Sequence, residues 1–182
     1  AGTGDAPSIG AALGSCAAGD SVLVAAGDYQ IDSHLFINEE RVTLVSEAGA
    51  EATVLKRGAL PVYILMSTDS VIEGFTFDSI FISGGTSFQR GGRISNNVFR
   101  GVGDPDDAAI GFWEFSGVTI SGNCIHGFGY GVILSESSGF IFIHNTFMAC
   151  GTAIELDGGW PWNTIRNNLI VGNEYGIDLS GG

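Results

Sequence analysis

Carboxylates and aromatic rings that recur at matching places in successive repeats are the residues of this chain that could do chemistry. Glu155 and Asp178 each follow an apolar landmark, in Ile154-Glu155-Leu156 and Ile177-Asp178-Leu179. Side chains alternate across a strand, so both acids face outward if Ile154 and Ile177 face in. One rung apart, their Cβ atoms would lie about 5 Å from each other. Hydrolysis of a glycosidic bond needs two carboxyls flanking that bond, and like charges this close raise one pKa, as an acid catalyst requires. Asp157 falls in the next outward column with Trp113 and Ser135, and Glu114 and Glu136 end their strands beside it. Trp113, with Trp160 and Trp162 from Gly158-Gly159-Trp160-Pro161-Trp162, offers aromatic faces to sugar rings. Glu155, Asp178 and Asp157 are therefore the catalytic candidates. Trp113, Glu114, Glu136, Trp160 and Trp162 are the substrate-binding ones. The plainer reading of the same residues is a solvated strand face on an acidic protein.

Other constellations are sparser. Gly103-Asp104-Pro105-Asp106-Asp107 places three acids in an insertion, so Asp104, Asp106 and Asp107 are the calcium candidates. They lack the Gly and Glu spacing of a calcium hand, and a solvated loop is the simpler account. No cofactor other than calcium is suggested, and no metal site is otherwise expected. His34, His126 and His144 share no spacing, and Lys56, Arg57, Arg90, Arg93 and Arg100 read as scattered solubility charges. Cys16, Cys124 and Cys150 form no metal-ligand pattern and read as buried free thiols.

Charge narrows the partners. The formal net charge is −13 and Lys56 is the only lysine. Nucleic acid is excluded as a partner, because its binding needs cations to displace counterions. Polyanions such as pectin are disfavoured unless calcium bridges them. No run approaches the roughly 18 apolar residues of a membrane span.

What must position these groups is a repeat. Val118-Thr119-Ile120-Ser121-Gly122-Asn123-Cys124-Ile125 returns as Phe140 to Phe147 and again as Asn163 to Ile170. Asn123, Asn145 and Asn168 are 22 and 23 positions apart, and Asn97 stands 26 before Asn123. Such a period is one turn of a solenoid, whose short strands bury a face only by stacking. Asn97, Asn123, Asn145 and Asn168 are expected to form a structural ladder at a bend, bonding backbone groups and each other. Ile120, Phe142 and Ile165 should share one internal stack, and Val132, Ile154 and Ile177 another.

The N-terminal stretch is more specific. Residues 5–18 read as a short amphipathic helix, with Asp5 as cap and Ile9, Ala12, Leu13 and Cys16 on one face. Gly19-Asp20-Ser21-Val22-Leu23-Val24-Ala25-Ala26-Gly27-Asp28-Tyr29 follows as a strand between turns. A small helix followed by this motif resembles the start of the secreted right-handed parallel β-helix proteins of the pectate-lyase-like superfamily. The resemblance implies an all-β, single-stranded right-handed parallel β-helix with a short N-terminal capping helix. The repeat adds about six coils of 22–26 residues. One domain over 1–182 is expected, with irregular first coils at 19–70 and regular ones at 71–182. Extracellular or cell-surface location is likewise what the resemblance implies. Relatives that cleave polyuronates use a calcium-binding acidic trio with a positioned Arg or Lys, or a pair of Asp residues. Neither constellation can be placed in this chain, and the expectation leans away from an enzyme.

Two oddities point elsewhere. Ile133, Ile141 and Ile143 should face outward, where strands are normally polar, and so suggest an assembly surface. The last repeat is followed by no capping element, which leaves a template for stacking, so the expectation is either that the natural polypeptide continues or that a partner covers the open end. The leading expectation is an extracellular structural or adhesive module that joins itself or another domain through that end or the isoleucine surface. The alternative is a carbohydrate-binding or carbohydrate-active protein, a hydrolase or lyase, using the outer sheet face, with glycans as partners.

Overall fold

A computed structural model describes residues 6–85, 89–158 and 162–179. Three parallel sheets of seven strands each wrap one core, and every strand pairs with its counterpart in the next coil. The chain is thus a β-solenoid of about seven turns, one more than the clear repeats suggest. The additional turn lies within 19–70, where the repeat is hard to read but the pairing is regular. Ser21 to Val24 sits in register on Thr43 to Ser46, and Thr43 on Val71.

Sheet A contains Thr119–Ser121 and Ile141–Ile143, and sheet B contains Thr53–Arg57, Thr76–Asp78 and Val98–Arg100. Sheet C runs through Leu35–Phe36, Tyr63–Leu65, Phe81–Gly84, Ala108–Trp113, Tyr130–Ser135, Thr152–Asp157 and Tyr175–Asp178. Numbering the coils from the N-terminus, these are sheet C's strands in coils 1 to 7.

The core is a set of axial stacks. Ile94, Ile120, Phe142 and Ile165 follow one another in sheet A, and Ile110, Val132, Ile154 and Ile177 in sheet C. Phe77 stacks on Phe99 with centroids 5.0 Å apart, and Phe112 meets Phe140 at 5.3 Å. Burying a side chain of this size stabilises the fold by about 1.5–3 kcal/mol each, which is what short isolated strands cannot obtain.

The helix is shorter than its sequence pattern. It spans Ile9–Gly14 and is capped by Ser8, whose hydroxyl accepts from the Ala11 N–H at 3.1 Å. Asp5 lies outside the described residues. Ile9 and Leu13 are buried, with Ala12 and Cys16 packed against the same core, so the apolar face covers the first coil as expected.

The asparagine ladder is a continuous hydrogen-bonded column. The Asn123 side-chain oxygen accepts from the Asn97 N–H at 3.0 Å, and its Nδ2 donates to the Ile94 carbonyl at 2.9 Å. Asn145 repeats this toward Asn123, and Asn168 toward Asn145. Phe75 tops the column, donating its N–H to Asn97 at 2.9 Å. Asn173 does the same work at another bend, accepting from Cys150 and donating to the Phe147 carbonyl. Each amide satisfies buried backbone groups that a turn would otherwise orphan.

Candidate functional site

Of three outward columns on sheet C, two hold the catalytic candidates together with Trp113 and Ile133. Gly111, Ile133, Glu155 and Asp178 are successive partners in one column, and Trp113, Ser135 and Asp157 in the next. Partial burial, and then the Asp178 and Asp157 carboxylates, push the Glu155 carboxyl above its ordinary value. Ser135 donates to Asp157 at 3.4 Å. Trp113 is 62% exposed. Glu114 and Glu136 turn the chain out of sheet C in left-handed backbone, at φ 50° and 48°, with exposed side chains. Trp162 is described and 82% exposed, whereas Trp160 lies outside the described residues.

The third column is aromatic. His34 and Tyr63 stack with centroids 4.7 Å apart, and Tyr63 meets Phe81 edge-on at 5.5 Å. Beyond Phe81 the outer face drops away, because coil 4 offers Ala108 and Gly111. A side chain at Gly111 would collide with the Phe81 ring, which lies across that position.

This drop is one side of a trough at the bend between sheets B and C. In coil 3 the two sheets are joined by residues 79–80 alone, whereas coil 2 uses 58–62 and coil 4 uses 101–107. Two lengthened bends therefore stand on either side of a short one. Coils 2 and 4 are two rungs, about 10 Å, apart along the axis. The space between them has a volume of about 370 Å³. Val62, Tyr63, Phe81, Phe128, Tyr130 and Ile133 supply its apolar surface, and Arg57, Ser79, Asp106 and Asp107 its polar groups.

The wall in coil 4 is tied down by backbone bonds. Gly129 and Tyr130 donate to the Asp104 and Asp107 carbonyls at 3.0 and 2.9 Å, and Gly103 donates to Gly127 at 2.8 Å. Within the loop, the Asp104 carboxylate accepts from the Asp106 N–H at 3.1 Å. Asp107 faces Arg57 of the opposite wall at 3.9 Å. The Asp104 and Asp107 carboxylates thus turn to different partners, and among the described residues no group of three or more His, Cys, Asp or Glu side chains converges as a metal site.

The isoleucines nominated as one surface are divided. Ile133 lines the trough on sheet C, while Ile141 and Ile143 lie on sheet A. The cysteines are free; Cys150 is buried, but Cys16 and Cys124 are only half-buried. Burial is the main cause pushing all three thiols up.

A family model described as the right-handed β-helix region matches residues 44–182. The chain belongs to that family. The β-helix is similar to a solved chain titled Geobacillus virus E2 ORF18, with a TM-score of 0.53 and 20% identity. That likeness covers 81% of this chain and 33% of the other, so the β-helix spans about a third of that chain's length. No curated protein matches it.

Sequence reasoning located the acidic columns but missed the trough. Arg57, Tyr63, Phe81 and Tyr130 carry no motif. A signal was nonetheless present: the repeat lengthens at 58–62 and again at 101–107, at the same bend of two coils separated by one.

Proposed function

We propose that this β-helix is an adhesive module that binds carbohydrate on the outer face of sheet C without turning it over. The trough between the two lengthened bends carries the reading. Ligand sites are concave, largely apolar and furnished with a few placed polar groups, at about 300–1,000 Å³. The trough meets that description at about 370 Å³, with the rings of Tyr63, Phe81 and Tyr130 and the charged groups of Arg57, Asp106 and Asp107 in its lining. Binding rather than catalysis is favoured because neither Glu155 nor Asp178 lines it. The test is a glycan array probed with the wild type and with Arg57→Ala. Binding lost in the variant and no release of reducing ends or unsaturated products supports the reading. Turnover of a bound glycan would replace it with an enzyme.

A second reading, assembly between modules, is favoured by one observation. On the last described coil Leu169, Val171, Tyr175, Ile177 and Leu179 are large apolar residues left substantially exposed. Such a surface calls for a covering layer, supplied by further polypeptide or by another module. Light scattering against concentration, with electron microscopy of the same sample, tests it: rods or ordered oligomers support assembly, and a monomer at high concentration removes it.

A further inference from the structure

We infer that the trough selects an uncharged sugar ring over a uronate, an assignment that rests on the carbohydrate-binding reading above. Among the ionisable side chains lining the trough, Arg57 is positive and Asp106 and Asp107 are negative. An anionic ring would therefore enter a lining of formal charge −1 on a protein of −13. The guanidinium that would have to receive it is already turned toward Asp107 across the trough, at 3.9 Å. Displacing that partner leaves a carboxylate facing the ligand's own carboxylate, and like charges in a partly desolvated site repel.

An uncharged ring escapes this penalty. Its hydroxyls can accept from Arg57 and donate to Asp106 and Asp107, and these charge-assisted bonds are the strong ones. Its C–H faces meet Phe81, Tyr130 and Ile133, which are the apolar part of the lining.

The experiment is an array carrying two charge classes: gluco-, galacto- and manno-oligosaccharides of three to six units, and uronic-acid oligomers. The strongest binder of each class is then titrated calorimetrically in low and high salt. Uncharged oligomers are expected to bind most tightly, with affinity unchanged between the two salts, since only charged pairs are screened. Arg57→Ala should weaken that binding roughly tenfold or more. Asp107→Asn, which frees the guanidinium and makes the lining formally neutral, should narrow the preference for uncharged over uronic-acid oligomers at least severalfold. Tighter binding of a uronic-acid oligomer by the wild type overturns the selectivity and leaves the carbohydrate reading standing. No binding in any class overturns both.

Discussion

The Arg57 guanidinium and the Asp107 carboxylate meet at 3.9 Å across a trough, although their backbones belong to coils 2 and 4 of the solenoid. The coil between them stays low because residues 79–80 alone turn it from sheet B to sheet C. A contact over a missing wall is what a recognition site requires, and it is not what stability requires. The side chains are 30% and 35% exposed. Water and salt screen such a pair, and exposed pairs are worth about 0–1 kcal/mol. A double-mutant cycle of Arg57→Ala and Asp107→Ala in urea should therefore give a coupling below about 1 kcal/mol that fades with salt. Strong coupling would make the pair a structural clamp instead.

Asn123→Ala is expected to act in the reverse sense, on stability alone. The substitution removes the acceptor of the Asn97 N–H and the donor to the Ile94 carbonyl, both buried. It also breaks the side-chain bonds to Asn97 and Asn145. Orphaned buried groups cost about 1–3 kcal/mol each, so a loss of about 3 kcal/mol is expected. Denaturant unfolding of the variant measures it. A loss under about 1 kcal/mol would mean that the column's amides are replaceable by water.

Glu155 sets a pH dependence whose sign can be worked out. Its carboxyl is raised in the fold by partial burial first, and by Asp178 and Asp157 next. Between the ordinary glutamate value of about 4.3 and the raised one, the folded chain binds more protons than the unfolded, so stability falls as pH rises. The penalty is absent below that window and fully present above it. Glu155→Gln should accordingly melt at a higher temperature than wild type at pH 7, and the advantage should vanish near pH 3. An advantage that persists in acid would assign it to packing rather than charge.

The fold was legible because it is written in repetition. Asn97, Asn123, Asn145 and Asn168 do what their period implies, and Gly111, Ile133, Glu155 and Asp178 share the outward column that alternation assigned them. Coils 1 and 2 were harder to read because they lack the asparagine and their bends vary in length, yet their strands pair in the same register. The trough was illegible for a different reason. Its residues are neighbours through the axial rise, so Arg57 and Asp107 look like unrelated charges until coils 2, 3 and 4 are stacked. Ile133, Ile141 and Ile143 were misgrouped for the same cause: nearness in sequence does not say which of the three sheets a strand joins.

Gly129→Ala should separate the wall from the fold. The added methyl would overlap the Pro105 carbonyl oxygen, a backbone atom that cannot swing aside as a side chain does. The approach matters because the Gly129 and Tyr130 N–H groups hold the loop through the Asp104 and Asp107 carbonyls. Pushing the loop off breaks these bonds and moves Asp106 and Asp107 away from Arg57. The strands beneath are retained by Ile110, Val132 and Ile154, which pack elsewhere in the coil. Overpacking of this kind costs about 1–3 kcal/mol, so the chain should stay folded. Hydrogen exchange is expected to quicken at residues 129 and 130 while the amides of Asn97 and Asn123 stay protected, and glycan binding should fall with the loop. Undiminished binding with the loop displaced would show that the aromatic lining of the trough suffices, and would remove Asp106 and Asp107 from the site.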